Sequence, residues 1–122
     1  MDAEKALIIM TSGPDDPRRC ATPFFLASVG RAMDYDVTMY FTIDGTLLLR
    51  KGVAEKLYAK PGGKPLSEFL RDALDAGVKF LACTASMELH NLERSDLIDG
   101  VKLASAAALW QAAKHSSVVL SF

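Results

Sequence analysis

The chain has 122 residues, 50% of them hydrophobic and 24% charged, with a formal net charge of −1. That is the size of one domain built on one core, with an ordinary soluble globular composition. Near-zero charge, and basic and aromatic residues that do not interleave, argue against nucleic-acid binding, and no segment approaches the roughly 20 apolar residues of a membrane span.

The opening Met1-Asp2-Ala3-Glu4-Lys5 is acidic and leads only to the short apolar run Ala6-Leu7-Ile8-Ile9-Met10. A secretory signal needs a basic start and a longer apolar stretch, so the protein is expected in the cytoplasm. The first strand is predicted over Ala6 to Thr11. A loop with two prolines, Ser12-Gly13-Pro14-Asp15-Asp16-Pro17, follows. A helix is expected from Thr22 to Asp34, with Pro23 in its first turn and Phe24, Phe25, Ala27, Val29 and Met33 on its buried side.

The β-branched and aromatic stretch Val37 to Ile43 reads as the second strand, with Val37, Met39, Phe41 and Ile43 on one face. Asp44-Gly45 ends it, Thr46 to Gly52 reads as a short helix or turn, and Val53 to Lys64 is the least regular part. Pro65 opens the clearest helical pattern of the chain, carried by Leu66, Phe69, Leu70, Ala73 and Leu74, and Gly77 is placed to end it. A third strand, Val78 to Cys83, is followed by a short helix, Ser86 to Leu92, and an acidic turn, Glu93 to Gly100. A fourth strand (Val101 to Ala104), a helix (Ala106 to His115) and a last strand (Val118 to Phe122) complete the pattern. Strands alternating with helices predict a three-layer α/β/α domain over 1–122, with a mostly parallel five-stranded sheet. Reactive groups in such sheets gather outside the carboxyl ends of the strands, where the loops Ser12 to Cys20, Asp44-Gly45 and Cys83 to Ser86 leave.

Cys83 is the principal candidate for chemistry. At the end of a strand and the start of a helix it faces free backbone N–H groups and a positive dipole end, which favour the thiolate. The competing reading is a small buried hydrophobe. Thr84 and Ser86 are cap residues whose hydroxyls can also donate to the sulfur. His90, seven positions after Cys83, shares its helical face and is a candidate base or donor; a solvent-exposed histidine is the plainer reading. Cys20 follows Arg18-Arg19, which can lower a thiol pKa or attract an anion, and its loop leaves the same sheet edge as Cys83; a structural thiol is the favoured reading.

With two cysteines outside any CxxC motif and two histidines, no structural zinc site and no disulfide are expected. No phosphate loop and no Gly-x-Ser-x-Gly elbow is present. Arg50, Lys51, Lys56, Lys60 and Lys64 make the middle segment basic, read as a solvated loop or a docking surface that acidic Glu88, Glu93, Asp96 and Asp99 complement across a subunit interface. The last helix, with Ala106, Ala107, Leu109, Trp110 and Ala113, is more apolar than one sheet surface requires, which burial against another subunit explains.

The order of these pieces resembles the DsrE-like sulfur-relay family, which includes DsrE, DsrF and TusD type proteins. The matching features are Lys5 to Gly13, the strand Val37 to Ile43 followed by Asp44-Gly45, Gly77 to Cys83 with its Ser86-Met87 helix start, and the closing Ala106-to-Trp110 helix with Val118 to Phe122. The resemblance implies a cytoplasmic homo-oligomer, trimer or hexamer, that passes sulfane sulfur between proteins with Cys83 as the persulfide carrier. It implies rhodanese-like and TusA-like partners and no metal or organic cofactor. Cys20 is not part of that pattern. A carrier needs access and a protected persulfide more than rapid turnover, which leaves open whether it is an enzyme in the strict sense. The rival reading is a non-catalytic assembly or regulatory subunit in which Cys83 only packs.

Overall fold

The computed structural model describes residues 3–122. Met1 and Asp2, on which the expectation about a secretory signal partly rests, lie outside them. Five strands and four α-helices alternate: β1 (Lys5–Met10), α1 (Ala21–Ala32), β2 (Asp36–Phe41), α2 (Leu66–Asp75), β3 (Lys79–Cys83), α3 (Thr84–Leu89), β4 (Val101–Ala104), α4 (Ala106–Lys114) and β5 (Val118–Ser121). Every strand pairing is parallel, in the order β4-β3-β2-β1-β5, so the sheet is wholly parallel.

The order decides which helices lie where. From β1 to β4 the chain steps one way across the sheet, and right-handed crossovers place these connections on one face; the return from β4 to β5 runs the other way and puts α4 opposite. The packing agrees. Phe24 and Ala27 of α1 and Leu66, Leu70 and Ala73 of α2 join Ile8, Met10, Val37, Met39, Phe41, Phe80 and Ala82 in the main core. Ala108, Leu109, Ala112 and Ala113 of α4 pack against Leu7, Tyr40, Cys83 and Ala104 on the other side. The result is the three-layer α/β/α architecture expected. An aromatic trio centres the main core, with ring centroids of Phe24, Phe41 and Phe80 5.1 to 5.8 Å apart.

Several expectations are corrected. On α1 only Phe24 and Ala27 of the five named residues are buried; Phe25, Val29 and Met33 are exposed, at 56%, 38% and 64%. Those three recur every four residues and share a helical strip turned away from the sheet. Ile43 does not extend β2: its φ of +54° begins a 3-10 helix, Ile43–Leu49, and the side chain is half exposed. The helix after Cys83 begins at Thr84, with no intervening loop. The basic and acidic segments abut within one chain, where Lys51 N–H donates to the Asp96 carbonyl (2.9 Å) and Ile98 N–H to that of Leu49 (2.9 Å). Gly77 ends α2 as expected, with φ +96°.

Candidate functional site around Cys83

Cys83 closes β3 and pairs with Ala104 of β4. Side chains alternate along a strand, so Phe80 and Ala82 enter the main core while Leu81 and Cys83 face α4. The strand leads straight into α3, whose Met87 belongs to the main core; its neighbour β4 leads into α4 on the opposite face. Adjacent strands whose connections leave to opposite faces form the switch point of an open α/β sheet, the usual place for a ligand or reactive group. Cys83 sits at it.

The sulfur is nearly covered, the residue being 6% exposed. Burial raises the thiol pKa, since it disfavours charge, but the polar groups around the sulfur outweigh it, the Ser86 hydroxyl and backbone N–H first and then the Tyr40 and Thr42 hydroxyls, and the pKa is lowered from 9.0 to about 7. A thiol so placed is substantially thiolate at neutral pH, the form that reacts.

The donors have partners of their own. Ser86 Oγ accepts the Ile43 N–H (2.6 Å) and lies 3.1 Å from Thr42 Oγ1. Tyr40 donates its hydroxyl to the Ser105 carbonyl (2.9 Å), just ahead of α4. A phenol has one hydrogen, and here it goes to that carbonyl. Burial, then the Cys83 sulfur, pushes the Tyr40 pKa further up, so its proton stays in place.

The other sequence candidates divide. Ser86 is buried at the sulfur. Thr84 is exposed on the first turn of α3. His90, at the C-cap of α3, has Nε2 3.1 Å from Asp44 Oδ1, out of hydrogen-bond geometry. The contact sets His90 of α3 against the loop that follows β2. Cys20 is fully buried in the main core, its thiol donating to the carbonyls of Gly13 and Asp16 (both 3.3 Å). Burial, then the Asp16 carboxylate, pushes its pKa up to about 11, opposite to the influence expected of Arg18 and Arg19. The two thiols lie on opposite faces of the sheet, so the structure does not bring them together, and both are free.

Of the three loops at this edge, the first meets the second, since a Cβ on Gly13 would stand 2.5 Å from the Asp44 carbonyl oxygen. Tyr40 and Thr42 are the residues sequence reasoning missed. Their parity on β2, opposite to Val37, Met39 and Phe41, puts them on the Cys83 face, but only the β2–β3 pairing, with Tyr40 opposite Leu81, brings them beside it. Among the described residues no group of three or more His, Cys, Asp or Glu gathers to hold a metal ion, and no helix is long and apolar enough to cross a membrane.

The sequence model of the DsrE/DsrF-like family matches residues 4–122. An uncharacterized protein of Methanocaldococcus jannaschii is 28% identical over 84% of this chain, which spans only 37% of that protein. The sulfur carrier protein DsrE2 of Allochromatium vinosum is 28% identical, with 98% of this chain and 99% of that one covered. Among solved structures, the ychN protein from E. coli has the same fold, with a TM-score of 0.81 at 21% identity and 98% and 99% of the two chains covered.

Proposed function

The chain belongs to the DsrE/DsrF-like family, and from that premise we propose that it is a sulfur carrier in which Cys83 accepts sulfane sulfur as a persulfide and hands it to an acceptor protein thiol. The observation that carries this reading is a thiol at the sheet's switch point, ringed by three hydroxyls and a backbone N–H that hold its pKa near 7. Full-length similarity to a protein named a sulfur carrier supports it.

Loading is a displacement. The Cys83 thiolate attacks the outer sulfur of a donor persulfide, the donor S–S bond breaks, and the donor sulfur leaves with the electron pair as a thiolate. Discharge reverses the roles: an acceptor thiolate attacks the outer sulfur and Cys83 leaves. No net oxidant is consumed. Rhodanese-like donors and TusA-like acceptors fit this exchange, in the cytoplasm. Exposed apolar side chains on α4 and β5, Trp110 at 78%, Val119 at 46% and Leu120 at 40%, support a homo-oligomer such as a trimer or hexamer.

One observation favours the second reading, an assembly subunit in which Cys83 only packs: the residue is 6% exposed, among Leu7, Tyr40 and Ala104. Intact mass after incubation with polysulfide or thiosulfate separates the two. The carrier gains one sulfur atom that dithiothreitol removes and Cys83→Ser does not acquire. A fully reduced protein that gains nothing from any sulfane donor is the assembly subunit.

A further inference from the structure

We propose that Thr42 and the backbone N–H of Ile43 aim the Ser86 hydroxyl at Cys83, and that this arrangement makes the Cys83 sulfur a good leaving group, biasing the carrier toward discharge. The direction of bias rests on the sulfur-carrier reading; the aiming of Ser86 does not.

The argument is a count of hydrogens. Ser86 Oγ has two lone pairs and one hydrogen. The Ile43 N–H, which can only donate, occupies one lone pair at 2.6 Å. Thr42 Oγ1 lies 3.1 Å away, so one hydroxyl of the Thr42–Ser86 pair donates to the other. Of the two hydroxyl hydrogens one is spent inside the pair and one is left to face the sulfur. With Thr42 donating, both lone pairs of Ser86 are filled and its hydrogen has only the Cys83 side to serve. Accepting two hydrogen bonds also polarises Ser86 and makes it the stronger donor.

The backbone is shaped to keep this geometry. Ile43 is β-branched yet holds a φ of +54°, a conformation such residues rarely adopt. That turn is what points its N–H at Ser86. It is braced on its far side by Asp44, which meets His90 at 3.1 Å and lies against Gly13.

The consequence lies in the exchange chemistry. In loading, Cys83 is the nucleophile, and the same hydrogen bonds raise the fraction of thiolate while lowering the nucleophilicity of each thiolate, so their two effects oppose one another. In discharge, Cys83 is the departing thiolate, and the same bonds stabilise the charge that develops on it. No atom other than the transferred sulfur changes owner in either step.

Thr42→Val keeps the shape and removes the hydroxyl. The test follows thiolate absorbance against pH in wild type, Thr42→Val and Thr42→Ser, each also carrying Cys20→Ser so that one thiol is read, with folding checked by thermal melting. Thr42→Val is expected to move the midpoint upward by roughly 0.5 to 1 pH unit, and Thr42→Ser to restore it. After loading with polysulfide, discharge to a small thiol, followed by loss of the sulfur mass, is expected to slow roughly two- to threefold in Thr42→Val. A folded Thr42→Val with an unchanged midpoint overturns the aiming of Ser86, whether or not the protein carries sulfur. A raised midpoint with undiminished discharge overturns the bias. Failure of wild type to load overturns the carrier reading, and the bias with it, while the midpoints still decide how Ser86 is aimed.

Discussion

Two thiols on one small domain have been driven apart by their surroundings. Cys20 is buried with only carbonyl acceptors in reach, so it stays protonated, with its pKa pushed up to about 11. Burial opposes ionisation of Cys83 too, but donors from three residues overcome it and its pKa falls to about 7. Both shifts tie stability to pH. For Cys83 the folded pKa lies below the ordinary 9.0, so between pH 7 and 9 the unfolded chain holds a proton that the folded one has released, and stability rises with pH. That contribution is complete above pH 9 and is lost as pH falls through 7. For Cys20 the sign reverses, and stability falls between pH 9 and 11. Urea unfolding at a series of pH values should show a gain of up to roughly 2 kcal/mol from pH 7 to 9. Cys83→Ser should flatten this rise and leave the decline above pH 9.

At the scale of elements, the turn after β2 does most to build the site. Gly45 is buried under β1, and a Cβ there would collide with the Met10 carbonyl oxygen, a backbone atom that cannot swing aside. Gly45→Ala should therefore destabilise the protein by roughly 2–4 kcal/mol, read as a lower urea midpoint at unchanged slope. It should also blur the reactivity of Cys83, because Thr42 and Ile43 belong to the same turn. The strands, helix α2 with its Gly77 stop, and the placement of Cys83 between strand and helix were legible in the sequence, because apolar periodicity and cap residues are local signals. The turn at Ile43 was not: an isoleucine at the end of a β-branched run reads as more strand, and among the bonds that hold it otherwise is one from its N–H to Ser86, 43 positions away. Tyr40 and Thr42 were hidden for the same reason, since periodicity gives a face but not the neighbour across the sheet. The exposed strip Phe25, Val29 and Met33 shows the converse, apolar spacing that marks a helix without saying which apolar residues it buries.

For the molecule as a whole, strand order accounts for the site. Parallel strands stepping from β1 to β4 and a return to β5 leave one helix, α4, to cover one sheet face, and none of its own residues is buried. Trp110 stands at 78% exposure on that helix. If copies of the chain cover this surface, Trp110→Glu should shift sedimentation from an oligomer to a monomer, while the unfolding free energy of the monomer changes by no more than about 0.5 kcal/mol. An unaltered sedimentation profile would place any subunit contact elsewhere, the strip on α1 being the next apolar surface.

A β-sheet also stands between the two sulfurs, one in the core under α1 and one beneath α4. Disulfide geometry tolerates Cα atoms only about 4.4 to 6.8 Å apart, with side chains turned toward each other. Under an oxidant the folded chain therefore has no internal ring to close. A disulfide at Cys83 must join it to some other molecule, and a non-reducing gel would show that bond as a change in mass rather than in mobility alone.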